Sequence, residues 1–348
     1  MAYGLINADI HSDSQGGVLA PISSVMRNRI INGQMQIDQR NAGASVTPTA
    51  TAYTVDRWQL NISQASKLSA QQLSSSPPVG FSNYLALTSQ SAYSVTSTDY
   101  FFLVQYVEGF NWCDLGWGTA NAKTVTLSFW VQSSLTGTFG GVLQNYAASR
   151  SYPFTYSIPT ANTWTQISVT IAGDTSGTWV GATNGGALQV IFGLGAGSTR
   201  TNTAGSWYGS ASYGATGATS VVGTSGATFY ITGVQLEKGS SATGFEYRQY
   251  GQELALCQRY YETQALVGNY GGLNQGGYAY LSFNFAVQKR TAPTMTYASM
   301  TYISNGTGGT GFTPNFSSST VNQFYVGSNG FSNFNGLGTG TANASAEL

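Results

Sequence analysis

Charge is what this sequence has least of. Asp, Glu, Lys and Arg make up 7% of its 348 residues, against roughly 25% in ordinary soluble proteins. The 13 basic residues balance the 13 acidic ones and form no run, which excludes the clustered cations of a nucleic-acid-binding face. The single histidine, His11, leaves no means of building a Ser-His-Asp triad elsewhere, or a multi-histidine zinc or iron site. Two cysteines, Cys113 and Cys257, are too few for a disulfide scaffold. They are expected to remain unbridged, with Cys113 beside Trp112 as a small buried apolar residue. No apolar run approaches the roughly 20 residues of a membrane span. Met1-Ala2-Tyr3-Gly4 lacks the basic and apolar regions of a signal peptide, so export, if any, is expected by another route.

In place of charge the chain carries 44 glycines with abundant Ser, Thr, Asn and Gln, and 13% of it is aromatic. That aromatic content and zero net charge separate it from disordered chains. The length suits two domains, or one large all-β domain with appendages. Val125, Leu127, Phe129 and Val131 alternate with polar residues, the period-two pattern of a half-buried strand. Ile167-Val169-Ile171, Leu188-Val190-Phe192-Leu194 and Phe229-Ile231 followed by Val234-Leu236 repeat it, separated by Gly/Ser/Thr/Asn loops such as 195–226. The fold class read from this is all-β: a jelly-roll or β-sandwich. Residues 246–262 break the pattern, with Leu254, Cys257 and Tyr261 at helical spacing. This predicts a short helix, either packed on its own domain or forming a three-fold neck between subunits. Beyond it Leu281, Phe283, Phe285 and Val287 alternate again, and Met295–Ile303 follows as another strand, predicting a smaller second β domain. The expected divisions are an N-terminal segment 1–45 with Asn32-Gly33 as a turn, a sandwich 46–248, a helix or neck 249–266 and a C-terminal tip 267–348.

Gly306 to Gly311 matches GxGxxG, but no strand-to-helix context surrounds it, so it reads as a loop. Asp99, Glu108 and Asp114 are the densest acidic group and lie among Phe110, Trp112 and Trp117. Structural hydrogen-bonded carboxylates, or a calcium site, account for them better than glycoside cleavage, which needs a set carboxylate separation. No catalytic residue, cofactor or metal is assigned. Aromatic rings in uncharged loops suit sugars, whose C–H faces pack on rings while their hydroxyls meet amides and hydroxyls. Trp207, Tyr208 and Tyr213 are the central candidates for glycan contact, because they sit in a Gly/Ser/Thr loop with few core-like neighbours. Tyr146, Tyr152 and Tyr156 flank Arg150 in a similar way, and Tyr270, Tyr278 and Phe331 are the comparable residues of the tip.

An ordered set of blocks resembles bacteriophage tail-fibre virion proteins. They are Asn28–Gly33, Gln36–Gly43, Tyr53–Trp58, Val107–Phe110, Asp114–Ala120, Val125–Val131, Thr232–Gly239, Phe245–Arg248 and Cys257–Glu262. The resemblance spans roughly residues 25–262; beyond it, up to Ala344-Ser345-Ala346-Glu347-Leu348, only the style is shared. It implies a structural subunit of the phage tail, homotrimeric, with a carbohydrate-binding-like jelly roll and a variable tip. The N-terminal segment would dock to other virion proteins (tail or portal-proximal), and the outer β domains would bind host-surface polysaccharide. Release of particles by lysis supplies the export route that needs no signal peptide. The alternative readings are a capsid decoration or head fibre without a specific receptor, and a polysaccharide-degrading spike. No nucleic-acid partner and no membrane insertion are expected.

Overall fold

The computed structural model describes residues 11–12, 18–19, 27–273, 279–304, 307–310, 315–328 and 334–348. The first part of the chain is built from β1 (Ala52–Tyr53), β2 (Gln59–Ile62), β3 (Leu68–Leu73), β4 (Tyr84–Ser89), β5 (Tyr100–Glu108), β6 (Val125–Ser133), β7 (Gly137–Asn145), β8 (Ser151–Ile158), β9 (Thr165–Ile171), β10 (Gly186–Ala196) and β11 (Thr228–Lys238). Helix α1 (Tyr250–Gln258) follows. After it come β12 (Tyr261–Leu273), β13 (Ala279–Asn284), β14 (Thr294–Ser304), β15 (Thr307–Thr310), β16 (Asn315–Ser319), β17 (Gln323–Ser328) and β18 (Phe334–Ser345).

A six-stranded sheet of order β8-β7-β10-β5-β2-β1 faces a five-stranded sheet of order β9-β6-β11-β4-β3, and every pairing is antiparallel. The chain changes sheet at β2–β3, β4–β5, β5–β6, β6–β7, β8–β9, β9–β10 and β10–β11, as in a jelly roll. Alternation explains the layering: Val125, Leu127, Phe129 and Val131 of β6 point inward against Phe139, Phe154, Phe192 and Phe229. The shift from Phe229-Ile231 to Val234-Leu236 is a bulge between Thr232 and Gln235. Gly233 (φ 61°) supplies the left-handed residue there, and Val234 N–H donates to Gly33 O across it.

Residues 27–43 run against this sandwich. Ile30 and Met35 lie in the same core as β6 and β10. The predicted Asn32-Gly33 turn is present, with Asn32 at φ 57°, its amide bonded to Ile37 and to Asp56 O. A Cβ on Gly33 would stand 2.1 Å from Val234 O, so only glycine lets this segment reach β11.

The helix is shorter than the 246–262 span read from the sequence. Its Cys257 joins Ile31, Ile37 and Tyr260 in a buried cluster, with Leu254, Leu256 and Leu348 against it. The helix therefore spends its apolar side on its own chain. Both cysteines are free; Cys257 is buried, whereas Cys113 is exposed, against expectation, because the short 3₁₀ turn Cys113–Leu115 turns Leu115 and the flanking Trp112 inward instead.

The C-terminal strands form two further sheets, β12-β18-β14-β15 and β13-β17-β16. The GxGxxG stretch is a strand where it is described: Thr307–Thr310 pairs with β14, while Gly306 and Gly311 lie outside the described residues. The 281–287 alternation ends as a strand at Asn284, where Phe285 N–H bonds to Asn322 O instead.

Inner-face close packing can be tested at Gly141. A Cβ there would meet the Phe154 ring at 2.3 Å and Ile191 O at 2.6 Å. Gly141→Ala is expected to destabilise the protein by about 1–3 kcal/mol, read as a lower denaturation midpoint with an unchanged slope.

Candidate functional site

Strand β5 is apolar on both faces. Phe101, Leu103 and Val107 enter the core between the sheets. Phe102 and Val104, on the opposite side, form a second cluster with Val142 of β7 and Ile191 of β10. This is the outer surface of the six-stranded sheet, since residues two apart share a face. Tyr100, Tyr106 and Tyr213 pack on it and stay half-buried. Tyr213 stacks on Phe102, with centroids 4.9 Å apart and planes 16° from parallel. One face of the Tyr213 ring is thus turned to the sheet and the other away from it. Tyr100 meets Tyr213 at 5.2 Å. Further along β5, Tyr106 packs edge-on against Tyr146 at 5.6 Å, and Tyr146 is 42% exposed. At about 3.3 Å per residue, Tyr100 and Tyr106 mark a strip roughly 20 Å long.

Amides border the rings. Gln59 lies opposite Val104 and Asn61 opposite Phe102, so both face outward. Gln59 Oε1 accepts from Asn61 Nδ2 (2.8 Å) and from the Tyr106 hydroxyl (3.2 Å). Burial pushes that hydroxyl up to about 12, so it stays a neutral donor at pH 7. At the Tyr213 end, a cavity of about 310 Å³ opens between the 198–201 and 214–219 loops. Its walls include Ser198, Thr201, Thr216 and Thr219 over a floor with Gly193 and Gly195. A Cβ on Gly195 would press on Val222 at 2.6 Å, so the floor needs a glycine there. The volume is at the lower end of the roughly 300–1,000 Å³ of small-molecule sites. Rings, amides and hydroxyls in this arrangement are groups that hold a polyhydroxylated ligand.

The three central aromatics expected to contact glycan are not grouped. Tyr213 belongs to the strip. Trp207 has the core neighbours its loop seemed to lack: it packs edge-on against Trp117 (5.2 Å) and Trp179 (5.9 Å), and its indole N–H donates to Ala172 O. Tyr152 lies 5.3 Å from Trp207; Tyr156 is in the core and Arg150 is paired with Asp174. Tyr208 extends the edge of β8 through two backbone bonds with Ser151. Tyr270 sits in β12 opposite Gly336, and Tyr278 and Phe331 lie outside the described residues. Tyr100, Tyr106, Gln59 and Asn61 were missed, although the run Tyr100–Val107, apolar except for Gln105, is a signal for a strand covered on both faces.

The acidic group is dispersed into structural roles. Glu108 takes both Arg259 nitrogens (3.0 and 2.6 Å) and the Tyr260 hydroxyl (2.6 Å). Asp114 is exposed and pairs with Arg29. Asp99 is buried and accepts from Thr96 N–H and hydroxyl, Tyr93 and Ser63. Burial opposes its ionisation, and those hydrogen bonds outweigh it, holding the carboxyl well below its usual range. Among the described residues no group of three His, Cys, Asp or Glu converges as a metal site, and no helix is long and apolar enough to cross a membrane.

No protein-family model and no curated protein matches the chain. Among solved structures it is similar to the enzymatically active domain of tailspike protein 4 of bacteriophage CBA120, at 12% identity and TM-score 0.36, over 62% of this chain and 22% of that one. It is also similar to the carbohydrate-binding module TmCBM61, solved with β-1,4-galactotriose, at 10% identity and TM-score 0.31, over 61% and 99% of the two chains. A third is the family 11 carbohydrate-binding module of a Clostridium thermocellum cellulosomal cellulase, at 13% identity and TM-score 0.29, over 57% and 100%.

A depressed carboxyl contributes stability above its unfolded value, about 3.9, that is lost as pH falls through the folded one. Asp99→Asn is therefore expected to melt below wild type at pH 7, with the gap narrowing as pH falls under about 4. A gap independent of pH would mean that the charge of Asp99 contributes nothing.

Proposed function

We propose that this chain is a non-catalytic, glycan-binding fibre subunit of a phage tail. The observation that carries the reading is the strip on the outer face of the six-stranded sheet, with Tyr100, Tyr106, Tyr146 and Tyr213 beside Gln59, Asn61 and the 310 Å³ cavity. It offers ring faces and neutral hydrogen-bonding groups on a rigid sheet, the combination sugar binding needs. The ordered blocks that resemble tail-fibre proteins support the virion setting and the host-surface polysaccharide as target. Attachment to other virion proteins is assigned to residues before Arg27, because Ile30 and Met35 are committed to the sandwich core. A capsid-bound fibre would use the same face.

Self-association into a homotrimer is supported by an apolar surface patch. Phe81, Phe245 and Tyr247 form a ring cluster with centroids 5.1–5.8 Å apart. Val79 and Tyr247 there, and Tyr250 at the start of α1, are exposed. Exposed clusters of this kind mark interfaces, and identical subunits around a three-fold bury them repeatedly.

Two measurements bear on these assignments. Tyr213→Ala and Tyr100→Ala are expected to weaken binding to host-surface polysaccharide by about 1–2 kcal/mol each, the scale of one ring's apolar face, while Trp207→Ala mainly lowers the melting temperature. Wild-type binding by both tyrosine variants would remove the strip as the site. Light scattering on the intact protein is expected to give the mass of three 36.7 kDa chains; a monodisperse monomer would refute the trimer.

A further inference from the structure

Arginine is almost always engaged in this protein. Among the described residues Arg27, Arg29, Arg40, Arg57, Arg150, Arg248 and Arg259 each pair with a carboxylate. Arg290 donates to the carbonyls of Asn184, Ala346 and Glu347. Arg200 differs. Its guanidinium makes one side-chain bond, from Nε to Thr98 O at 3.2 Å in an exposed setting. Its central carbon stands 5.7 Å from the Tyr213 ring centre and 5.9 Å from that of Tyr100. The nearest acidic residue along the chain from Thr98 is Asp99, whose carboxylate is already held by Thr96, Tyr93 and Ser63. Arg200 therefore presents its two terminal nitrogens, without a counter-ion among the described residues, at the end of the aromatic strip where Ser198 and Thr201 wall the cavity.

From this arrangement we infer that the glycan bound here is anionic and carries a carboxylate, as uronic and nonulosonic acid residues do. The inference rests on the strip being a glycan site. A guanidinium is a planar fork that meets a carboxylate through two parallel hydrogen bonds. The rings beside it hold the fork by cation–π contact and offer a face to the sugar that bears the acid. A cation placed against rings in a chain of 7% charged residues has a specific use there: it discriminates acidic from neutral sugars, since a neutral ligand would cover the guanidinium without pairing it.

Intact protein on an array of neutral, uronate-containing and sialylated glycans, with carboxyl-reduced versions of the acidic ones, tests this. Wild type is expected to bind a carboxylated glycan, more weakly as salt rises, and to lose ten- to a hundredfold in affinity on carboxyl reduction. Arg200→Gln should show the same loss toward the acidic glycan and none toward its reduced form, and Arg200→Lys should fall between. The melting temperature should not move, because the Tyr213 N–H bond to Arg200 is to its backbone carbonyl. Binding confined to neutral glycans, or acidic binding untouched by Arg200→Gln, overturns the inference while leaving the glycan site in place. Absence of binding to every glycan by wild type overturns the site itself.

Discussion

Arg57 fixes how the two halves of the chain sit together. It is fully buried, lies 3.5 Å from the centre of the Tyr260 ring, pairs with Glu347 and donates to Tyr106 O. The guanidinium thus joins a sandwich strand, the start of the C-terminal unit and the chain's last residues at one point. Removing one partner of such a pair leaves a buried charge uncompensated, which is far costlier than losing an exposed ion pair. Arg40 adds to the same junction, against the Tyr261 ring at 3.6 Å and Glu347 at 2.8 Å. Tyr53, bonded to Leu348 O, places the last residue at β1, the edge strand of the six-stranded sheet.

Residues 28–32, 58 and 248–253 meet beside this junction. Arg248 donates to Asn28 O and to Ile30 O, Glu253 accepts from Asn32 N–H, and Trp58 donates to Asn32 O. Asn28, Ile30, Asn32, Trp58, Arg248 and Glu253 are thereby linked across more than 200 residues of chain. A polar network in a low-dielectric interior ties its members to one arrangement, so it constrains many side chains at once. The strip makes no such demand on its residues.

That difference explains what could be read in advance. Strands β6, β9, β10 and β11 were legible because each has one face in the core and alternates accordingly; even the bulge in β11 shows as a change of phase. The burial of Ile30, Ile31, Met35 and Ile37 was not legible because they have neither period: they fill gaps at the end of the sandwich and against α1, where tertiary position and not local geometry decides burial. Tyr213 was legible as a loop aromatic, but its partner Phe102 is 111 positions away, and only the docking of the loop on the sheet, through Ser212 N–H to Gln144 and Tyr213 N–H to Arg200 O, brings them together. Trp207 looked the same in sequence and lies half-buried against Trp117 and Trp179, since a loop's composition does not reveal what its rings lie against.

The pairing of β12 with β18 places Tyr261 opposite Ser345, and Ala346 N–H bonds to Tyr260 O. The C-terminal unit therefore leaves the sandwich and returns to it at the same spot, with its final residues re-entering the Arg57 junction. Topologically residues 261–345 are one long excursion between two adjacent anchors. Whatever its internal strands become, the anchors need only stay a strand spacing apart, so the tip can diversify by wholesale exchange while the socket that holds it is kept.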